Sequence, residues 1–127
     1  MELKDLLDLH EKLETRINAY WTYWSIAILA VGGWLFTSGK SLSGGQAIAV
    51  AIGASVFFLA NLSVLWSATR LVTGVRDEIR LKSKAATFTS PRLVAAFAED
   101  AVAVRLPLTV VLHLAIDAVV LWAVLSK

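Results

Sequence analysis

The chain has 127 residues, of which 57% are hydrophobic and only 17% are charged, with a formal net charge of +2. A soluble domain averages roughly 45–50% apolar and about 25% charged residues, so this composition disfavours a soluble globular protein. Cysteine is absent, which excludes disulfides, thiolate metal sites and cysteine nucleophiles.

Residues 1–18 are predicted to form an amphipathic helix on the cytoplasmic side. Its apolar positions and one histidine recur at helical spacing: Leu3, Leu6, Leu7, His10, Leu13 and Ile17. A stripe this short needs a partner, which is either the linker helix further along the chain or another copy of the chain. His10 is interpreted as part of this packing seam rather than as a metal ligand.

Long stretches without charge predict three transmembrane helices. The intervals between Arg16 and Lys40 and between Lys40 and Arg70 hold 23 and 29 uncharged residues. The interval between Arg105 and Lys127 holds 21 residues, with Asp117 as its one charged residue. Crossing a bilayer takes about 20 helical residues, so we expect spans over 19–38, 46–69 and 106–126. The alternative is a set of buried helices in a soluble all-α protein.

The five tryptophans agree with these spans, because all of them fall near predicted span ends, where indole rings prefer the membrane–water interface. Lysine and arginine set the orientation. Ten lie in residues 1–18 and 70–105, against two elsewhere. The positive-inside rule therefore places the N-terminus and the 70–105 linker in the cytoplasm. The 39–45 loop and the C-terminus are then outside, most simply at the plasma membrane.

The linker is predicted to be basic and helical. The second span is expected to continue past Arg70 towards Lys84 and to break over 86–89. Ser90-Pro91 is typical of a new helix start, with a helix to about Val104 on the membrane surface or against the second span. Its cations predict contact with anionic lipid head groups and explain the basic pI without nucleic-acid binding. Pro107 should open or kink the third span.

Polar residues reach a common depth in the three spans. His113 lies eight residues beyond Arg105, Asn61 nine before Arg70, and Ser25 nine beyond Arg16. At about 1.5 Å per residue, all three lie roughly 12–14 Å from the cytoplasmic boundary. Asp117 is one helical turn deeper, and with Thr109 and His113 it forms an i, i+4 line on one face of the third span. An aspartate at a span centre costs roughly 2.5–3.5 kcal/mol unless it is paired, protonated or hydrated.

Small residues predict close helix packing. In the second span a seam at 3-4 spacing combines four alanines with Asn61 and two larger apolar residues. Its alanines are Ala47, Ala51, Ala54 and Ala68. In the first span the seam through Ser25 includes Thr22 and Gly32. These seams predict contacts between helices, and with the leucine stripe they predict a homo-oligomer or a larger membrane complex.

Three functions fit this pattern. The leading expectation is ion or proton translocation or gating through the His113–Asp117 pair in an oligomer. The alternative is a structural or accessory membrane subunit without transport, in which the pair and Asn61 fasten helices. A haem or quinone anchor through His113 is a third, weaker option, and no cofactor is predicted. Because the sequence lacks a hydrolase serine motif and a metal-ligand cluster, we expect no enzymatic activity.

Overall fold

The computed structural model describes residues 1–37, 41–85, 90–92, 95 and 104–127. Within this part of the chain the protein forms three long helices, which confirms the all-α prediction. They are α1 (Leu3–Thr37), α2 (Gly44–Ala85) and α3 (Arg105–Leu125). The predicted break at 86–89 and most of the predicted 91–104 helix lie outside the described residues.

The starts of α2 and α3 follow from their local sequences in different ways. Ser43 and Gln46 cap α2 reciprocally: the Ser43 N–H donates to Gln46 Oε1 at 3.1 Å, and the Gln46 N–H donates to Ser43 Oγ at 3.2 Å. This capping box satisfies two amide groups that have no partner within the helix. Pro107 stands in the first turn of α3, where its missing N–H costs no hydrogen bond. The third helix therefore begins without the kink that a later proline would cause.

The two N-terminal helices are longer than a membrane span. α1 has 35 residues and runs without interruption from the leucine stripe into the apolar segment. α2 has 42 residues and continues past Arg70, as the sequence suggested. At about 1.5 Å per residue, α2 is roughly 63 Å long. Each of the two helices therefore joins an apolar segment to a more polar end.

The polar ends of α1 and α2 pack as an antiparallel pair. The leucine stripe lies against the far half of α2, and together they bury one apolar cluster: Leu6, Leu13, Ile17, Leu65, Ala68, Val72, Val75 and Ile79. Burying a side chain such as Leu13 or Ile79 contributes about 1.5–3 kcal/mol. Of the two partners predicted for the stripe, the structure supplies the one within the same chain.

α2 is the central helix of the bundle, since α1 and α3 both pack along it while touching each other far less. A second apolar cluster lies towards the other end of the bundle, around Trp24, Phe58 and Val120 from the three helices. Between the two clusters, the helices meet through polar side chains. The arrangement therefore gathers polar groups at one level.

Two helices, α2 and α3, are long and apolar enough to cross a membrane. Only 17% of the most apolar stretch of α2 and 22% of that of α3 is buried within the chain. A core helix of a soluble protein would be mostly buried, whereas here large apolar side chains such as Ile52, Val119 and Trp122 are exposed. Residues 19–37 of α1 are less apolar and are not a third such helix, because tyrosine, tryptophan and threonine take the place of aliphatic residues at 20–24.

Candidate functional site

A buried polar cluster lies where the three helices meet. His113 is completely buried, and Asp117 is 6% exposed. Asn61 of α2 faces them and is buried as well, as is Thr109, one turn before His113. The i, i+4 spacing places Thr109, His113 and Asp117 on the same buried face of α3.

Asn61 fixes one end of a hydrogen-bonded chain. Its Nδ2 donates to the backbone carbonyl of Tyr20 in α1 at 3.1 Å, and its Oδ1 lies 3.1 Å from His113 Nε2. A carbonyl oxygen cannot donate, so the amide group of Asn61 must point its nitrogen at Tyr20 and its oxygen at His113. His113 Nε2 must then carry a hydrogen, and this N–H donates a hydrogen bond to Asn61 Oδ1.

Asp117 closes the other end. Trp24 Nε1 donates to Asp117 Oδ1 at 2.8 Å, and His113 Nδ1 contacts Asp117 Oδ2 directly. A hydrogen bond in this contact requires one proton between the two atoms. The pair is then either imidazolium with carboxylate or neutral imidazole with carboxylic acid, and both forms have zero net charge. Burying a neutral, fully paired network avoids the large cost of burying an isolated charge.

Aromatic rings surround the His113 imidazole. The Trp24 ring lies 5.0 Å away at an interplanar angle of 32°, and the rings of Trp21 and Phe58 lie 6.0 and 6.4 Å away. These rings come from α1 and α2, so they pack the imidazole between the three helices and keep it out of contact with water.

A second polar link joins α1 to α3 nearer the leucine stripe. Arg105 donates from its two terminal nitrogens to Glu14 Oε1 and Oε2, at 2.6 and 2.8 Å. The pKa of Glu14 is lowered chiefly by this hydrogen bonding, and the charges of Arg105, His10 and Arg76 act in the same direction against partial burial. Burial lowers the pKa of His10, whose Nε2 lies 3.8 Å from Glu14. Side chains at two levels thus join α1 and α3.

The structure joins Asn61, His113 and Asp117 by direct contacts and buries Thr109 one turn away, but it leaves Ser25 exposed. Ser25 Oγ donates to the Trp21 carbonyl of its own helix at 2.9 Å, and Thr22 bonds to Asn18 in the same way. These hydroxyl groups are satisfied locally and need no partner on another helix. The inward face of α1 therefore differs from the seam predicted through Ser25. It contains the following residues: Ile17, Trp21, Trp24, Ile28, Val31 and Leu35.

The alanine seam of α2 is used within the chain. Ala47 and Ala68 are buried, and Ala54 packs against the cluster around Trp24 and Phe58, whereas Ala51 is half-buried. Gly32 behaves differently, because a methyl group added there would meet no atom within 4 Å. A packing role for Gly32 would require a surface outside this chain.

Trp24 and the Tyr20 carbonyl are the site members that the sequence reasoning missed. The sequence predicts Trp24 as an interfacial residue, yet its side chain is only 7% exposed and its indole N–H donates to Asp117. The sequence did contain a signal for Trp24, because this residue is adjacent to Ser25, and the predicted depth of Ser25 in the membrane matches that of His113. An indole N–H can only donate, which makes it a suitable partner for a buried carboxylate.

The site offers little to a metal ion. Both ring nitrogens of His113 are engaged, so an iron-ligating role would require breaking a contact with Asn61 or Asp117. In the described part of the chain, no three histidine, aspartate or glutamate side chains gather as a metal-binding group.

Comparisons with protein-family models, with curated proteins and with solved structures gave no match for this chain.

Trp24→Phe should lower the stability of the folded chain by about 1–3 kcal/mol, because a smaller aromatic ring replaces the indole and Asp117 loses its donor. Unfolding in detergent, followed by circular dichroism, measures the change. Trp34→Phe is the matched control, since Trp34 lies on the same helix with an exposed ring. Equal stability of the two variants would contradict the assigned hydrogen bond.

The Glu14–Arg105 link should make stability depend on pH in the acidic range. The pKa of Glu14 is lowered in the folded chain, so its contribution is present above the ordinary value near 4.5 and is lost as pH falls below it. Melting temperatures between about pH 6 and pH 3 should therefore fall less steeply for Glu14→Gln than for the wild-type chain. Parallel curves for the two proteins would contradict this contribution, and Glu11→Gln on the exposed face is the control.

Proposed function

We propose that the chain is a three-span membrane protein, in which the predicted first span, 19–38, crosses the bilayer beside α2 and α3. The charge-free interval before Lys40 and the exposed apolar side chains of Ile26 and Leu29 support this third span. The indole N–H of Trp24, which would be costly in lipid, is bonded inside the bundle. The basic residues place the N-terminus and the 70–105 linker in the cytoplasm, where the linker contacts anionic lipid head groups.

Within that bundle, the polar cluster acts as a fastener, and the chain serves as a structural or accessory membrane subunit without enzymatic activity. One observation carries this proposal: both nitrogens of His113, both oxygens of Asp117 and the amide of Asn61 have partners in the same chain. Hydrogen bonds between membrane helices contribute about 0.6–2 kcal/mol each. A closed set of such bonds fixes the rotation and depth of each helix.

Proton translocation, the function that the sequence favoured first, is the second candidate. Its support is the proton held between His113 Nδ1 and Asp117 Oδ2, together with a groove between α2 and α3 that reaches Asp117. Transport would require a homo-oligomer or a larger complex, because three spans rarely enclose a pathway on their own.

Topology tests the membrane placement. Cysteines introduced at Ser41 and Ser83 should react with an impermeant maleimide from opposite sides of the membrane, because a single crossing by α2 separates them. Sealed and permeabilised cells or vesicles give the comparison. Labelling of both positions from the same side would refute the crossing by α2. Labelling of Glu2→Cys and Ser41→Cys from the same side would refute the span assigned to α1.

Asp117→Asn separates fastening from transport. Asn still accepts a hydrogen bond from Trp24 but cannot titrate, so we expect a folded variant of similar stability. Under the fastening proposal, neither the wild-type chain nor this variant conducts protons or cations in liposomes. Asp117→Leu should be destabilised by about 1–3 kcal/mol, because Trp24 and His113 lose their acceptor.

Ser25→Ala is the control for both measurements, since Ser25 is exposed and bonded within its own helix. Proton or cation flux in the wild-type chain that Asp117→Asn abolishes while stability is retained would overturn the fastening role and establish translocation.

A further inference from the structure

A groove of about 260 Å³ opens between α2 and α3 beside Asp117. Its walls are largely apolar and are formed by Phe58, Leu59, Leu114, Ala118 and Leu121. Leu59 and Leu114 are exposed on the outer surface of the bundle. The groove therefore opens on the apolar surface of the molecule. In the membrane placement proposed above, on which this inference rests, that surface faces lipid.

The polar surface of the groove offers an acceptor. Asp117 lines it, and a carboxylate has about four lone-pair sites, of which Trp24 and His113 use two. The other polar side chain in the lining is Ser55, whose hydroxyl donates to the Ala51 carbonyl at 2.7 Å. A molecule in the groove that carries a hydrogen-bond donor can bond to Asp117. A molecule with only acceptors could bond to the Ser55 hydroxyl only by displacing its bond to the Ala51 carbonyl.

The charge of the occupant is constrained too. The His113–Asp117 pair is neutral as a unit, so it offers no unpaired negative charge to a cation, which would lose its hydration on entering an apolar groove. The volume lies just below the 300–1,000 Å³ of ordinary ligand pockets, which suits a ring or a short chain rather than a whole phospholipid.

We propose that this groove binds an uncharged, membrane-dissolved apolar molecule carrying a hydroxyl group, which donates a hydrogen bond to Asp117. The hydroxyl determines selectivity. A phenol should bind, and the corresponding methyl ether should not, because the two have similar apolar bodies but only the phenol donates. A site that depends on a hydrogen bond discriminates strongly against an analogue that lacks it.

Para-nonylphenol and para-nonylanisole are the matched probes. The wild-type chain, carrying fluorotryptophan and reconstituted in phosphatidylcholine nanodiscs, reports binding through the fluorine NMR signal of Trp24, because that indole shares Asp117 with the ligand. We expect a saturable shift of the Trp24 signal with the phenol and none with the ether. Trp24→Phe, which lacks this signal, assigns it among the five tryptophans.

Ala118→Leu should abolish the saturable shift, because the larger side chain fills the groove, while the unliganded Trp24 signal stays close to that of the wild type. Ala115→Leu is the control, being exposed on the same helix and outside the groove lining. Equal responses to the two probes, a shift that never saturates, or saturation that persists in Ala118→Leu would each overturn the proposal. Maleimide labelling of Ser41→Cys and Ser83→Cys in the same preparation distinguishes failure of the membrane placement from failure of the groove.

Discussion

The contact between His113 and Asp117 is the constraint on which the rest of the bundle depends. A buried carboxylate without a partner would destabilise the fold by several kcal/mol, and a buried imidazolium would do the same. Placed one helical turn apart, the two groups share a proton and cancel in charge. Their remaining hydrogen-bonding positions then select one partner on each of the other helices, namely Asn61 on α2 and Trp24 on α1. The polar cluster thereby specifies how the helices are rotated, a specificity that apolar contacts provide less sharply.

The α1–α3 contact shows why that specificity matters. Both helices pack mainly on α2, and polar side chains join them to each other at two levels, through Trp24–Asp117 and Glu14–Arg105. Both acceptors are carboxylates, yet their surroundings differ. Glu14 is half-buried beside several cations, so its link responds to acid, whereas Asp117 is buried beside a single histidine. The two levels therefore differ in their access to the surrounding solution.

Sequence reasoning identified the elements that periodicity controls and missed those that local bonding controls. The i, i+4 line of Thr109, His113 and Asp117 follows from helix geometry alone. Its depth in the predicted first span places Ser25 beside His113, but a serine in a helix can satisfy its hydroxyl on the carbonyl four residues earlier and need not turn inward. Trp24 was missed because interfacial preference is a statistical tendency that a specific buried acceptor overrides. The partner of the leucine stripe required three-dimensional information, since a second copy would satisfy the same periodicity.

The position of the pair within a single helix also bears on how the protein is assembled. α3 is synthesised after α1 and α2, and it contains both members of the pair. It therefore supplies a hydrogen-bonding partner for its own aspartate before it meets any other helix, and in the proposed placement the pair enters the bilayer without net charge. By then α1 and α2 already display an indole N–H and an amide oxygen at the depth where the neutral pair will arrive. Biogenesis in that order requires no stage at which an isolated charge waits in lipid for a partner from elsewhere in the chain.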